Sequence, residues 1–99
     1  MKKHLILTFN LAEHTPIGRI DIHSDIYHAL IIHDIIKPGD SCTVSNPRSL
    51  KKENHIIFAQ SPIELNTELS TEQIKTVFMP LFTKWEKAVG FSNFNIDEL

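Results

Sequence analysis

Histidine and aspartate side chains, which can bind metal ions or transfer protons, are concentrated in residues 21–34, DIHSDIYHALIIHD. If a strand gives way to a helix within this stretch, Asp21 and His23 project from one face of the strand. Asp25 and His28 are then i, i+3 neighbours on the first turn of the helix. Because imidazole and carboxylate groups are suitable zinc ligands, one alternative is a zinc-dependent enzyme that uses these four side chains.

The same residues also have a simpler interpretation as the start of a helix. Ser24 suits the N-cap position, and Asp25 suits the positive end of the helix dipole. His33 follows His28 by five residues, about 140° around a helix, so it cannot join the same ligand set. The stretch contains no HExxH motif, and the single cysteine, Cys42, excludes a cysteine-based zinc site. These observations favour an ordinary helix start without a cofactor.

A basic cluster is the second candidate for binding chemistry. Arg48, Lys51 and Lys52 lie in NPRSLKKEN, residues 46–54, which we predict to be a loop that contacts an anion, a phosphate or an acidic protein. The cluster has no interleaved aromatic residues for base stacking. The formal net charge of −2 has the wrong sign for a protein that binds phosphate backbones over its whole surface. Nucleic-acid binding is therefore a further alternative that the composition disfavours.

Two other features have chemical interpretations. Cys42 lies in a predicted strand with no helix N-terminus after it, so we interpret it as an inert, half-buried thiol. At the C-terminal end, Phe91, Phe94 and Ile96 follow a helix that already has a full apolar face. These three residues either pack under the sheet as a last strand or form an exposed patch that binds a partner.

The N-terminal part of the chain has the alternation that is typical of strands. Leu5, Leu7, Phe9 and Leu11 recur at every second position in residues 4–11, which predicts one strand. A turn is predicted at residues 13–18, and residues 19–23 alternate again. The pattern therefore predicts an antiparallel hairpin.

The next segment, residues 24–37, is open between helix and strand. Ser24 at its start and Lys37 at its end suit a helix, and Pro38 and Gly39 then end the element. Its many isoleucines favour a strand, because β-branched side chains pack well in sheets. The caps favour a helix, which would be largely buried.

The second half of the chain predicts two short strands and a long helix. The strands are residues 40–45 and 54–60. Ser70 and Gln73 form the pattern of a capping box, and Leu69 with Ile74 forms a hydrophobic staple. The helix ends at Gly90, and its apolar residues recur at helical spacing over a broad stripe. Pro80 lies inside this helix, where it removes one hydrogen bond and predicts a kink.

Together these elements predict one compact α+β domain over residues 1–99, since a chain of 99 residues is too short for a second core. The predicted order is ββαββα, an antiparallel sheet of about four strands with one or two helices packed on it. The sequence has neither an apolar run long enough to span a membrane nor a cleavable leader, and one cysteine fits a reducing compartment, so we expect a cytoplasmic protein.

Composition and motifs favour a non-catalytic role over an enzyme. The chain lacks a nucleophile–base pair, a glycine-rich phosphate loop and a strong ligand set. We therefore expect a protein-binding module, such as an inhibitor, an immunity-type protein or a small regulatory subunit. Homodimerisation is a further expectation, because an uncovered strand edge invites pairing.

Overall fold

The computed structural model describes residues 2–12, 21–40 and 42–99, which form five strands and two helices. In chain order these elements are β1 (Lys2–Ala12), α1 (Ile22–Ile32), β2 (Cys42–Val44), β3 (Arg48–Glu53), β4 (Ile56–Asn66), α2 (Thr71–Val89) and β5 (Ser92–Glu98). The predicted α+β class with a long helix near the C-terminus is confirmed. The order βαβββαβ differs from the predicted ββαββα at three elements: α1 rather than a second strand follows β1 in the described residues, and β3 and β5 are additional strands.

All strand pairs in the sheet are antiparallel, and β1 lies between β4 and β5. The other edge of β4 pairs with two short strands in succession: Cys42 of β2 lies opposite Leu65, and Arg48 of β3 lies opposite Gln60. Because β2 and β3 follow one another along the same edge, they act as one interrupted strand. When β2 and β3 are counted as one strand, the order along the chain is βαββαβ. The order across the sheet is then β5, β1, β4 and the combined β2–β3 strand. This is the ferredoxin-like arrangement.

The two central strands each bury one face. In β1, the side chains at Leu5, Leu7 and Phe9 are at most 2% exposed, whereas the intervening side chains lie on the opposite face. The alternation predicted for residues 4–11 is therefore confirmed. In β4, Ala59 and Ile63 are buried on the same face of the sheet.

The hairpin predicted after β1 is wrong at its described end, because residues 22 and 23 are helical. Asp21 is the N-cap of α1, and its Oδ1 accepts a hydrogen bond of 2.9 Å from the backbone N–H of Ser24. The carboxylate therefore occupies the capping position that we predicted for Ser24, three residues earlier. The predicted turn at residues 13–18 and the first two residues of the predicted strand lie outside the described residues.

Residues 24–37 are helical at their start, as their caps predict, but α1 ends at Ile32 rather than near residue 37. Asp34 adopts a left-handed conformation with φ 57°, and its N–H donates to Ile31 O at 3.0 Å. The N–H of Ile35 donates to Leu30 O at 2.9 Å. These two bonds form a Schellman motif, in which Asp34 takes the position that glycine usually occupies.

The predicted basic loop is largely a strand, so that prediction is wrong. Arg48–Glu53 forms β3, whose residues are all exposed. A two-residue turn joins it to β4, with φ of 50° at Asn54 and 66° at His55. Positive φ at both residues is typical of the type I′ turn, whose twist matches that of antiparallel strands. Because β3 has no buried face, its sequence has no alternation of apolar and polar residues.

The long helix α2 begins and ends as predicted. Ser70 Oγ accepts from the N–H of Gln73 at 3.2 Å, and Gln73 Oε1 accepts from the N–H of Ser70 at 2.9 Å, which completes the capping box. Gly90 ends the helix with φ 73°, and its N–H donates to Glu86 O. Pro80 lies inside the helix.

Aromatic side chains join α2 and β5 to the sheet. The ring centroids of Phe9 and Phe91 lie 5.1 Å apart, and those of Phe82 and Phe94 lie 4.6 Å apart. Trp85 is fully buried beside them. The two helices contact each other, and their buried residues share one core with the buried faces of β1 and β4. The helices therefore cover one face of the sheet, and no helix or strand within residues 2–12, 21–40 and 42–99 covers the other.

One buried hydroxyl gives a direct test of core packing. Ser61 is fully buried in β4, and its Oγ has no hydrogen-bond partner among the described residues. Removal of a buried polar group without a partner removes its desolvation cost, so we expect Ser61→Ala to raise the free energy of unfolding by roughly 1 kcal/mol in urea denaturation.

The matched control is Thr67, which is also buried but whose Oγ1 accepts from the N–H of Leu69 at 3.1 Å. Thr67→Val keeps the shape and removes this bond, so we expect it to lower the free energy of unfolding by about 1 kcal/mol. Equal losses in the Ser61 and Thr67 variants would contradict the assignment of Ser61 as unpartnered.

Candidate functional site

Asp25, one of the four predicted metal ligands, joins the two helices. Its Oδ2 accepts a hydrogen bond of 2.8 Å from Trp85 Nε1, and its Oδ1 lies 3.1 Å from Lys84 Nζ. Both carboxylate oxygens therefore already have donors. This arrangement gives Asp25 a structural role at the contact between α1 and α2.

The other three predicted ligands point to different partners. Asp21 caps α1, and His28 is exposed. His23 stacks on Tyr27, and its Nε2 lies 3.3 Å from the carbonyl oxygen of Cys42, so the tautomer with a proton on Nε2 donates to it. Within the described part of the chain, no three His, Cys, Asp or Glu side chains are grouped closely enough to hold a metal ion. The predicted zinc site is therefore not assembled.

Cys42 is half-buried in β2, and burial raises the pKa of its thiol. A higher pKa means a smaller thiolate fraction at any given pH, and the thiolate is the nucleophile. We therefore expect iodoacetamide to alkylate the folded protein more slowly than the urea-unfolded protein at pH 8. The difference should shrink as the pH rises through the pKa of the folded state. Mass spectrometry measures both alkylation rates. Equal rates for the folded and the unfolded protein at pH 8 would contradict this prediction.

Two concave regions lie on the helical side of the molecule. A cleft of about 650 Å³ separates the end of α1 from the β4–α2 connection, and His33, Asp34, Asp40 and Glu68 lie at its wall. A groove of about 320 Å³ runs between α1 and α2 and is lined mainly by Ala29, Ile32, Val77, Pro80 and Leu81. Polar groups also line the groove, namely Asp25, His28, His33 and Lys84.

The uncovered face of the sheet, which we call the open face, presents a continuous set of side chains. Strand register places them in rows across β5, β1, β4 and the β2–β3 edge. From one end to the other, the central rows contain His4, Glu64 and Thr43; Asp97, Ile6 and Pro62; Asn95, Thr8, Gln60 and Arg48; and Ser92, Asn10, Phe58 and Lys51.

Apolar side chains lie in the middle and at one end of the open face. Ile6 and Pro62 are half-buried opposite each other, and Phe58 is half-buried two rows away. Ile56, in the next row, is 40% exposed. Lys51 Nζ lies 4.7 Å from the ring centroid of Phe58, a cation–π contact. The face therefore combines apolar contact area with hydrogen-bonding groups.

Charges of opposite sign lie at opposite ends of the open face. At the β3 end, Arg48 and Lys51 outnumber Glu53, whose Oε2 lies 3.6 Å from Lys51 Nζ. At the other end, Glu64 forms an ion pair with Lys2, and Asp97 lies on the neighbouring row. The hydrogen bond from Lys2 lowers the pKa of Glu64, which keeps this carboxylate ionised.

The three residues predicted as an apolar tail belong to the core side of the sheet. Phe91 is fully buried and Ile96 is 3% exposed, whereas Phe94 is partly buried against the core. Phe91, Phe94 and Ile96 therefore pack under the sheet, at and within the last strand, β5. Their side chains form no exposed patch for a partner.

The open face is a candidate site that the sequence patterns alone did not predict. Its signal was present in the even-numbered positions of β1, which include Ile6, Thr8 and Asn10 among the polar side of the alternation. An uncovered face usually carries charged side chains, so an isoleucine at position 6 and a phenylalanine at position 58 were the available clues. Neither could be placed on that face before the pairing of β1 with β4 was known.

Comparisons with known proteins add a likeness in fold. No family model matches the chain, and no curated protein matches it. A solved structure, that of a proposed aminohydrolase from methicillin-resistant Staphylococcus aureus, matches with a TM-score of 0.52 and 11% sequence identity. The match covers 98% of this chain and 29% of that protein, so the chain spans less than a third of its length. At this identity the likeness concerns the fold alone. None of the described helices is long and apolar enough to cross a membrane.

Proposed function

We propose that the chain is a non-catalytic protein-binding module that binds its partner through the open face of the sheet. The observation that carries this proposal is that both helices pack on one side, while Ile6, Phe58 and Pro62 lie half-buried on the other. Apolar contact area surrounded by polar groups is the usual composition of a protein interface. An inhibitor, an immunity-type protein or a small regulatory subunit would use such a surface.

The chemistry of the open face supports a protein partner better than the two alternatives. Asp25, on the helical side of the molecule, accepts hydrogen bonds from Trp85 and Lys84 on its two carboxylate oxygens, which disfavours its use as a metal ligand. Lys51 lies over the ring of Phe58, where a nucleic-acid base would otherwise stack. The net charge of −2 also opposes phosphate binding.

The test compares substitutions on the two sides of the molecule. Phe58→Glu places a carboxylate on the open face, and Thr8→Lys places a charge at its centre. The matched control, Met79→Glu, changes an apolar residue that is 54% exposed on α2. Tagged wild-type and variant chains are used to isolate binding proteins from the source cells, and each candidate is then purified and titrated by calorimetry.

We expect the wild-type chain and Met79→Glu to bind the same purified protein with equal affinity. That protein can be a second copy of this chain. Both open-face variants should bind it at least about tenfold more weakly, because a charge buried opposite apolar groups is costly. Circular dichroism establishes that each variant is folded. A folded open-face variant that retains full binding would overturn the proposal, as would turnover of a substrate without any open-face partner.

A further inference from the structure

We infer that the partner of the open face is a second copy of this chain, packed sheet against sheet with its strands running in the reverse direction. This inference rests on the proposed function, because it uses the same face. The two copies are related by a two-fold axis that lies in the plane between the sheets, at right angles to the strands. The axis passes between the row of Ile6 and Pro62 and the row of Thr8 and Gln60.

The first argument is charge complementarity along the strand direction. In this arrangement the positive β3 end of one copy lies over the negative end of the other. Lys51 occupies the second row on one side of the axis, and Glu64 occupies the second row on the other side. Phe58 therefore faces the partner's Glu64, and the Lys51 ammonium, which lies 4.7 Å from the Phe58 ring centroid, is next to that carboxylate. The two-fold symmetry repeats this contact. A surface that is complementary to itself is what a symmetric dimer requires.

The second argument is the area of the face. Strands of 11, 11, 7, 6 and 3 residues make up the sheet. At about 3.3 Å per residue and 4.8 Å between strands, they give a face of roughly 600 Å² per copy. Two copies together would bury roughly 1,200 Å², at the lower end of the range for specific and stable interfaces.

The third argument is the side-chain composition of the rows near the axis. Ile6 and Pro62 of one copy meet the row of Thr8 and Gln60 of the other, so each apolar pair covers a polar pair. On β5 the same two rows place Asn95 opposite the partner's Asp97, an amide and a carboxylate that can bond across the interface, which needs about one hydrogen bond per 100–200 Å². Two sheets whose strands are nearly aligned pack about 10 Å apart, a common sandwich geometry.

Charge exchange between Lys51 and Glu64 tests both the dimer and its orientation. Sedimentation equilibrium on the full chain should show a dimer that dissociates on dilution. Lys51→Glu and Glu64→Lys should each weaken self-association about tenfold or more, because like charges then lie next to each other twice. An equimolar mixture of these two variants should regain the wild-type affinity, since both contacts in the mixed dimer are then between opposite charges. The double variant should regain it alone.

The control is Lys87→Glu, which makes the same charge change on an exposed position of α2 and should leave the dissociation constant unchanged. A wild-type chain that stays monomeric over the accessible concentration range would overturn the inference. So would variants whose mixture fails to associate, because another orientation would then hold the dimer.

The outcomes also separate this inference from the proposed function. A monomer that binds a different purified protein, and loses that binding in Phe58→Glu, overturns the second copy as partner and supports the proposed function. A monomer that instead binds a single-stranded oligonucleotide, with strong salt dependence and a requirement for Phe58, overturns both.

Discussion

Trp85→Ala is expected to lower the free energy of unfolding by about 3–5 kcal/mol, the usual cost of removing a buried large aromatic side chain. The Trp85 ring is fully buried on α2, and its Nε1 donates to Asp25 Oδ2 on α1 at 2.8 Å. The substitution therefore leaves a cavity and also removes the donor of a partly buried carboxylate. Because domains of this size have a total stability of about 5–15 kcal/mol, this loss is a large fraction of the total.

Urea denaturation followed by circular dichroism measures the loss, since Trp85 is the single tryptophan of the chain and its fluorescence disappears with it. Trp85→Phe separates the two contributions: it keeps much of the ring volume but not the hydrogen bond, and we expect a loss of about 1–3 kcal/mol. Lys84→Ala is the control, with a loss below about 1 kcal/mol, because the Lys84 side chain is exposed and Asp25 keeps its hydrogen bond from Trp85. A Trp85→Ala loss no larger than that of Lys84→Ala would contradict the assigned packing.

Phe9→Ala should be of similar severity, about 3–5 kcal/mol, for a different reason. Phe9 lies on the central strand β1 and stacks on both Phe91 and Phe94, with ring centroids 5.1 and 5.8 Å away. Its removal therefore leaves a cavity and removes the ring contacts between β1 and the segment that contains Phe91 and Phe94. Phe9→Leu keeps apolar volume at this position and should cost only about 1–2 kcal/mol.

A double-mutant cycle isolates the stacking contribution. Leucine at Phe9, at Phe91 and at both positions gives a coupling free energy, which we expect to be about 0.5–1.5 kcal/mol. Thr8→Ala, next to Phe9 but on the open face, should change stability by less than about 0.5 kcal/mol in the monomer. Additive losses in the two leucine variants would contradict the stacked geometry.

Local signals along the chain predicted α2 and β1 well, because each depends on nearby residues. Ser70, Gln73 and Gly90 specify the ends of α2 through hydrogen bonds that span only a few residues. The alternation in β1 specifies which of its faces is buried, whatever strand pairs with it. Elements of this kind can be predicted from the sequence without knowledge of the tertiary structure.

The errors fell where tertiary pairing or unusual backbone geometry decides the structure. β3 is a strand because it pairs with β4 through the turn at Asn54 and His55, although all its side chains are exposed. The end of α1 depends on a left-handed aspartate, Asp34, where glycine is the usual signal.

The candidate site could be predicted only in part. Lys51 is a predicted binding residue, but several of its neighbours on the open face come from strands distant in sequence. The histidine–aspartate stretch was conspicuous in sequence, yet Asp21 and Asp25 have structural roles in the cap and the helix–helix contact. Residues close in sequence were therefore a poor guide to which groups share a surface.

The central position of β1 has a consequence for how the chain folds as it is synthesised. β1 leaves the ribosome before both strands that pair with it: β4 begins at Ile56 and β5 ends at Glu98. At about 5–20 residues per second, β1, with its buried apolar face, stays unpaired for several seconds before its neighbours are synthesised. Contacts between residues so far apart in sequence form slowly, and the unpaired strand is exposed to aggregation during that interval. Folding of this sheet is therefore completed only once the last strand has emerged.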